Sequence, residues 1–77
     1  MKGRVPEMKW VYAVDQIEQA IGADKVVYIR FHKKYKPDDW CKHRVMYIRD
    51  GVVVCSAFRC SPRITNSTHI IDEVIVK

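Results

Sequence analysis

Apolar residues recur at helical spacing near the start of the chain. Trp10, Ala13, Val14, Ile17, Ala20 and Ile21 fall on one face of a 3.6-residue period, with Asp15, Gln16, Glu18 and Gln19 opposite. Pro6 and Glu7 suit a first turn, where proline needs no amide partner and an acid complements the helix dipole. Gly22 suits the left-handed position that closes a helix. The pattern predicts a helix over 6–21. A strand at 8–14 followed by a short helix capped by Asp15, with Glu18 three residues on, is the competing arrangement. The unbroken period favours the single helix.

From Lys25 the period falls to two. Val27, Ile29 and Phe31 alternate with Val26, Tyr28, Arg30 and His32, which predicts a strand to Lys33. A charged connector is expected over 34–42, turning at Pro37-Asp38-Asp39. Beyond it, 44–49 and 52–58 flank Asp50-Gly51, the pair favoured in a type I′ hairpin. That turn sets a register in which Ile48 faces Val53, Met46 faces Cys55 and Arg44 faces Ala57 on one surface. Tyr47 and Val54, Val45 and Ser56, and His43 and Phe58 then meet on the other. After Ser61-Pro62 a loop leads to a last strand over 70–76, rich in β-branched residues. The expected fold is one α+β domain spanning 1–77. A single N-terminal helix packs on an antiparallel sheet of three to four strands, in the order α-β-β-β-β.

Composition leaves this picture intact. The 77 residues are 48% hydrophobic and 30% charged, which suits a folded domain rather than a disordered chain. No stretch approaches the roughly 20 apolar residues of a membrane span, and no apolar segment follows the charged N-terminus as in a signal peptide. Three cysteines, an odd number, argue for a reducing, cytoplasmic setting. Asn66-Ser67-Thr68 is read as a turn.

Charge changes the picture more. The net charge is +5, but residues 25–49 hold eight basic and two acidic groups while the segments on either side nearly balance. Between positions 30 and 44, Arg30, Lys33, Lys34, Lys36, Lys42 and Arg44 interleave with Phe31, Tyr35 and Trp40. With Tyr28, Tyr47 and Arg49 on the sheet surface turned from the helix, this set combines cations for phosphates with rings for bases. Nucleic-acid binding is the expected function. The chain lacks a Gly-aromatic RNA-recognition signature, a GXXG loop and a helix-turn-helix pattern. The competing expectation is a compact inhibitor or adaptor, of the sort carried by phages and mobile elements, that sets the same cations against an acidic protein surface. The plainer alternative is a sheet face half-covered by the C-terminal segment or by a homodimer mate, with the lysines serving only solubility and edge protection.

Two further constellations bear on possible chemistry. Extending the hairpin register brings Cys41 opposite Cys60, beside His43 and near His32, a donor set of the kind that holds zinc. The spacing matches no standard zinc module, and no metal or other cofactor is expected. Cys41 with His43, and His69 near Asp72 and Glu73, imitate catalytic pairs. Without paired carboxylates or a phosphate loop, no enzyme is expected. Trp40 is either an exposed anchor or a plug that folds its loop onto the core, and the plug is the commoner arrangement in a small domain that needs every large side chain.

Overall fold

The computed structural model describes residues 9–77. Pro6, Glu7 and the expected helix start at 6 lie outside them. Helix α1 (Trp10–Gly22) is followed by five strands: β1 (Val27–Lys33), β2 (Lys36–Arg49), β3 (Val52–Ser56), β4 (Arg63–Ile64) and β5 (His69–Val76). They form one antiparallel sheet in the order β4-β3-β2-β1-β5. The helix-then-sheet, α+β arrangement is the expected one, with a fifth strand added. Among the described residues no helix is long and apolar enough to cross a membrane.

The helical period does what its spacing implies. Ala13, Ile17 and Ala20 are buried, and Trp10, Val14 and Ile21 pack around them. Residues 10–14 are helical, so the alternative strand at 8–14 does not form. The helix closes differently than expected. Gly22 stays helical, and Asp24 takes the left-handed position at φ 58°. The Lys25 amide then donates to the Ala20 carbonyl and the Asp24 amide to that of Ile21, a Schellman closure.

α1 lies chiefly over β5, with lesser contact to β2 and β1. Beneath it Val27, Ile29, Phe31, Val45, Val53, Cys55, Ile64 and Ile71 form a continuous buried layer, here called the inner face. Burial pushes the Cys55 thiol up to about 12, so it behaves as a small apolar side chain.

The Asp50-Gly51 turn forms as expected, with φ 51° and 77° at its two central residues, as a type I′ turn requires. Ile48 faces Val53 and Tyr47 faces Val54 in the expected register, which then slips. Val45 faces Cys55 and Arg44 faces Ser56, leaving Met46 as an extra residue in a β-bulge. The slip corrects three expected pairings. Met46 is exposed rather than opposite Cys55, Val45 is buried rather than outward, and Arg44 faces out rather than under the helix. Strict alternation would have buried an unpaired Arg44, and the bulge avoids that desolvation cost.

The expected connector over 34–42 is mostly strand. The chain reverses in a two-residue turn at Lys34-Tyr35, and β2 runs 14 residues from Lys36. Neither turn residue has positive φ, so the turn cannot be the primed type that matches strand twist. The mismatch is taken up next to it, where pairing jumps from Lys33–Lys36 to His32–Trp40. Pro37-Asp38-Asp39, the expected turn, is this irregularity. Proline lacks an amide and aspartate is a poor strand former, so a stretch without ladder partners suits them.

At the far end, β3 stops at Ser56 and the chain turns through Phe58-Arg59, bridging Ala57 to Cys60. Phe58 therefore never meets His43, and Cys60 lies across β3 from β2. β4 follows, with Ile64 in the core and the Pro62 carbonyl accepting from the Cys55 amide.

Candidate functional site

The outer face of the sheet, turned away from α1, collects most of the expected binding residues. Alternation on β1 gives it Tyr28, Arg30 and His32. Facing them across the β1–β2 ladder are Arg44, Lys42 and Trp40. Beyond the bulge come Tyr47 and Arg49, and the short β4 adds Arg63 opposite Val54. The bulge at Met46 is what unites the set. Lys42 and Arg44 sit at even positions and Tyr47 and Arg49 at odd ones, so an unbroken strand would have placed them on opposite faces.

Contacts within the face follow from this placement. The Arg30 guanidinium lies 5.5 Å from the Trp40 ring centroid. Lys42 and Lys77 lie over the Tyr28 ring at 6.0 and 5.7 Å. Such cation–π pairs keep long cationic side chains close to the rings rather than spread into solvent. Trp40 is 56% exposed, the anchor arrangement rather than the plug, and Tyr47 is 44% exposed. Val54 is buried on this side, in the floor of a shallow cleft of about 270 Å³ walled by Tyr47, Arg49 and Arg63.

Among the described residues Arg30, Lys42, Arg44 and Arg63 have no ion-pair partner. Arg49 has only a loose, fully solvated one, Asp50 at 3.9 Å. The β5 side of the face differs. Ile70 and Ile75 are half-buried, Glu73 sits opposite Arg30, and Asp72 bulges out of the ladder. Asp72 Oδ2 accepts from His32 Nδ1 at 2.7 Å, a part-buried pair. The face thus grades from cationic over β1–β4 to apolar and acidic at β5.

Not every expected residue joins. Lys33, Lys34, Tyr35 and Lys36 cluster at the tip of the β1–β2 hairpin, where Tyr35 is 92% exposed, instead of lying on the face. His43 belongs to the inner side, facing Ile29 and 5.8 Å from the Phe31 ring. Phe58 projects from its own turn with Arg59 over its ring at 5.1 Å. The four residues of the zinc set are divided. His32 is outward and engaged by Asp72, Cys41 and His43 are on the inner side, and Cys60 lies beyond β3. Among the described residues no group of three or more His, Cys, Asp or Glu side chains is placed to hold a metal ion. His69 lies edge-on to Phe31 at 5.6 Å, with Thr68 Oγ1 2.7 Å from its Nδ1, and not beside Asp72. Burial holds its pKa below the usual imidazole range, and the positive charges of Lys33 and His32 push the same way.

Two cations of the face went unnoticed in the sequence. Arg63 is carried by a two-residue strand too short to show a period, although Ile64 after Pro62 is a buried-looking residue in an otherwise polar loop. Lys77 reaches Tyr28 only because β5 pairs with β1, which no local pattern reveals. No family model matches the chain, and neither does any curated protein or solved structure.

Proposed function

We propose that the protein is a small basic binding module whose partner is nucleic acid, held on the outer face of the sheet. One observation carries the reading. Four cations without an ion-pair partner among the described residues share an open face with Tyr28, Trp40 and Tyr47. Each phosphate neutralised there releases condensed counterions, which is the main source of affinity for a polyanion. The rings offer flat apolar surface for bases. The test is binding of labelled DNA and RNA across a salt series, with the Lys42→Glu/Arg44→Glu double variant as control. Affinity should fall steeply with salt and be lost in the variant, whose melting temperature should stay near that of the parent. Absence of binding to any nucleic acid at low salt would remove the reading.

A second reading rests on a different observation. Tyr35 and Phe58, 92% and 86% exposed, project from turns away from the face. Exposed rings beside Lys and Arg are the composition of protein-binding anchors. In that case an acidic protein surface is the partner, and its complex forms without any affinity for nucleic acid.

A further inference from the structure

We infer that the outer face selects single-stranded nucleic acid over duplex, with little regard to sequence, along a track that follows β2. The inference rests on the nucleic-acid reading above and narrows it to one class of ligand.

The breadth of the face argues against a duplex. Five strands spaced about 4.8 Å apart make a surface roughly 20 Å across. The major groove is about 12 Å wide and admits a helix or a two-stranded ribbon, not a whole sheet. Laid against a duplex without large DNA deformation, this face meets phosphates only, and its rings reach no base. Tyr28, Trp40 and Tyr47 can contribute only when the bases are unpaired and free to turn toward the sheet.

The layout along β2 argues for a strand-like ligand. From Trp40 to Arg49 its outward side chains read Trp40, Lys42, Arg44, Tyr47, Arg49, a ring at the start, two cations, a second ring and a further cation. At strand rise this row covers about 25–30 Å. Arg30 and Tyr28 flank it on β1, and Arg63 flanks it on β4. Glu73 and Asp72 at the β5 side repel a phosphate chain, so the cationic row confines it to β1–β4.

The chemistry of the face argues against base-specific reading. Its outward positions hold no Asn or Gln, the side chains that pair bidentately with adenine. Arg30 is held over Trp40 and Lys42 over Tyr28. Arg44, Arg49 and Arg63 could each meet a guanine edge, but on an open face they meet phosphates as readily, so stacking, which every base supports, and phosphate contact, which carries no sequence, dominate.

The test compares one short labelled oligonucleotide, single-stranded and annealed to its complement, by fluorescence anisotropy over a salt series. DNA and RNA versions and homopolymer controls complete the set. The single strand should bind at least about tenfold more tightly than the duplex at the same salt, because stacking is worth roughly 1–3 kcal/mol per base. Homopolymers should agree within a few-fold. Trp40→Ala should weaken single-strand binding roughly tenfold with an unchanged salt slope, whereas Arg44→Ala should reduce the slope by about 0.7, one phosphate's worth on a single strand. Tyr47→Ala serves as a second ring variant should Trp40→Ala shift the melting temperature. Equal affinity for duplex and single strand, or ring variants that bind as the parent does, overturns the inference and leaves the broader nucleic-acid reading standing. No binding to either form overturns both.

Discussion

The same strands present two faces of opposite character. On β1, Val27, Ile29 and Phe31 are at most 5% exposed, while Tyr28, Arg30 and His32 between them keep contact with solvent. The inner face is a closed apolar layer under α1. The outer face is cationic and aromatic, with no element of the described chain laid over it. The comparison teaches a division of labour set by a period of two. Residues of one parity make the domain fold, and those of the other are free to carry a ligand. The bulge at Met46 is the place where parity is reset, because it lets Lys42 and Arg44 share a side with Tyr47 and Arg49.

Deletions break this comparison most severely. Removing Arg30 from β1, whose own alternation is unbroken from Val27 to His32 although β5 bulges beside it at Asp72, turns Phe31 outward and drives His32 toward the helix. Loss of a buried Phe alone costs about 3–5 kcal/mol, enough to unfold a domain this small. Removing Met46 is expected to do little. Without it Val45, Tyr47 and Ile48 alternate inner, outer, inner, so both faces survive and only an exposed side chain is lost. Chemical denaturation of the two deletion variants checks the contrast. If deletion of Met46 is as damaging as deletion of Arg30, Met46 is not a spare residue and the parity argument fails.

How much of this was legible follows the same physics. The helix announced itself because six apolar positions keep one period, and the Asp50-Gly51 turn because few residue pairs tolerate two successive positive φ values. The Met46 bulge had no marker of its own. The available signal was indirect, since strict alternation buries Arg44 and exposes Val45, and only an extra residue reconciles them. Pro37-Asp38-Asp39 carried a true signal of interrupted pairing, but interruption within a strand and reversal of the chain look alike in a sequence. The real reversal, at Lys34-Tyr35, uses no turn residue at all. The cationic character of the site was visible from the charge density of residues 25–49. Its membership was not, because Arg63 and Lys77 arrive through long-range pairing.

Glycine offers a finer probe, with effects of opposite sign at two positions. At neither Gly22 nor Gly51 would a Cβ come within 4 Å of any atom beyond the adjacent residues and, for Gly22, the helix's own backbone, so packing is not at issue at either. Gly51 has φ 77°, where an L side chain is strained, and Gly51→Ala should cost about 1–2 kcal/mol. Gly22 is the last residue of the helix and keeps its helical conformation, with Asp24 providing the left-handed closure. There Gly22→Ala should stabilise by about 0.5–1 kcal/mol, by removing backbone freedom from the unfolded chain and improving helix propensity. A stabilising Gly51→Ala or a destabilising Gly22→Ala would contradict the turn and the closure described here.

The smallest effect concerns His69, at the inner face's rim. Burial and the positive charges of Lys33 and His32 lower its pKa in the folded state below the ordinary 6.5. Between that folded value and 6.5 the unfolded chain binds more protons, so stability rises with pH. It is therefore full above the unfolded pKa and declines as pH falls through the window to the lowered one, levelling below it. Asp72, which could have reversed the sign by stabilising an imidazolium, is taken by His32 instead. Thr68 Oγ1, 2.7 Å from His69 Nδ1, can donate to the neutral ring, which works the same way. A His69→Gln variant should lose this part of the pH dependence while keeping the profile elsewhere. If instead the parent gains stability on acidification through that window and the variant does not, His69 is paired with an acid in solution. The rim of the inner face would then differ from the one described.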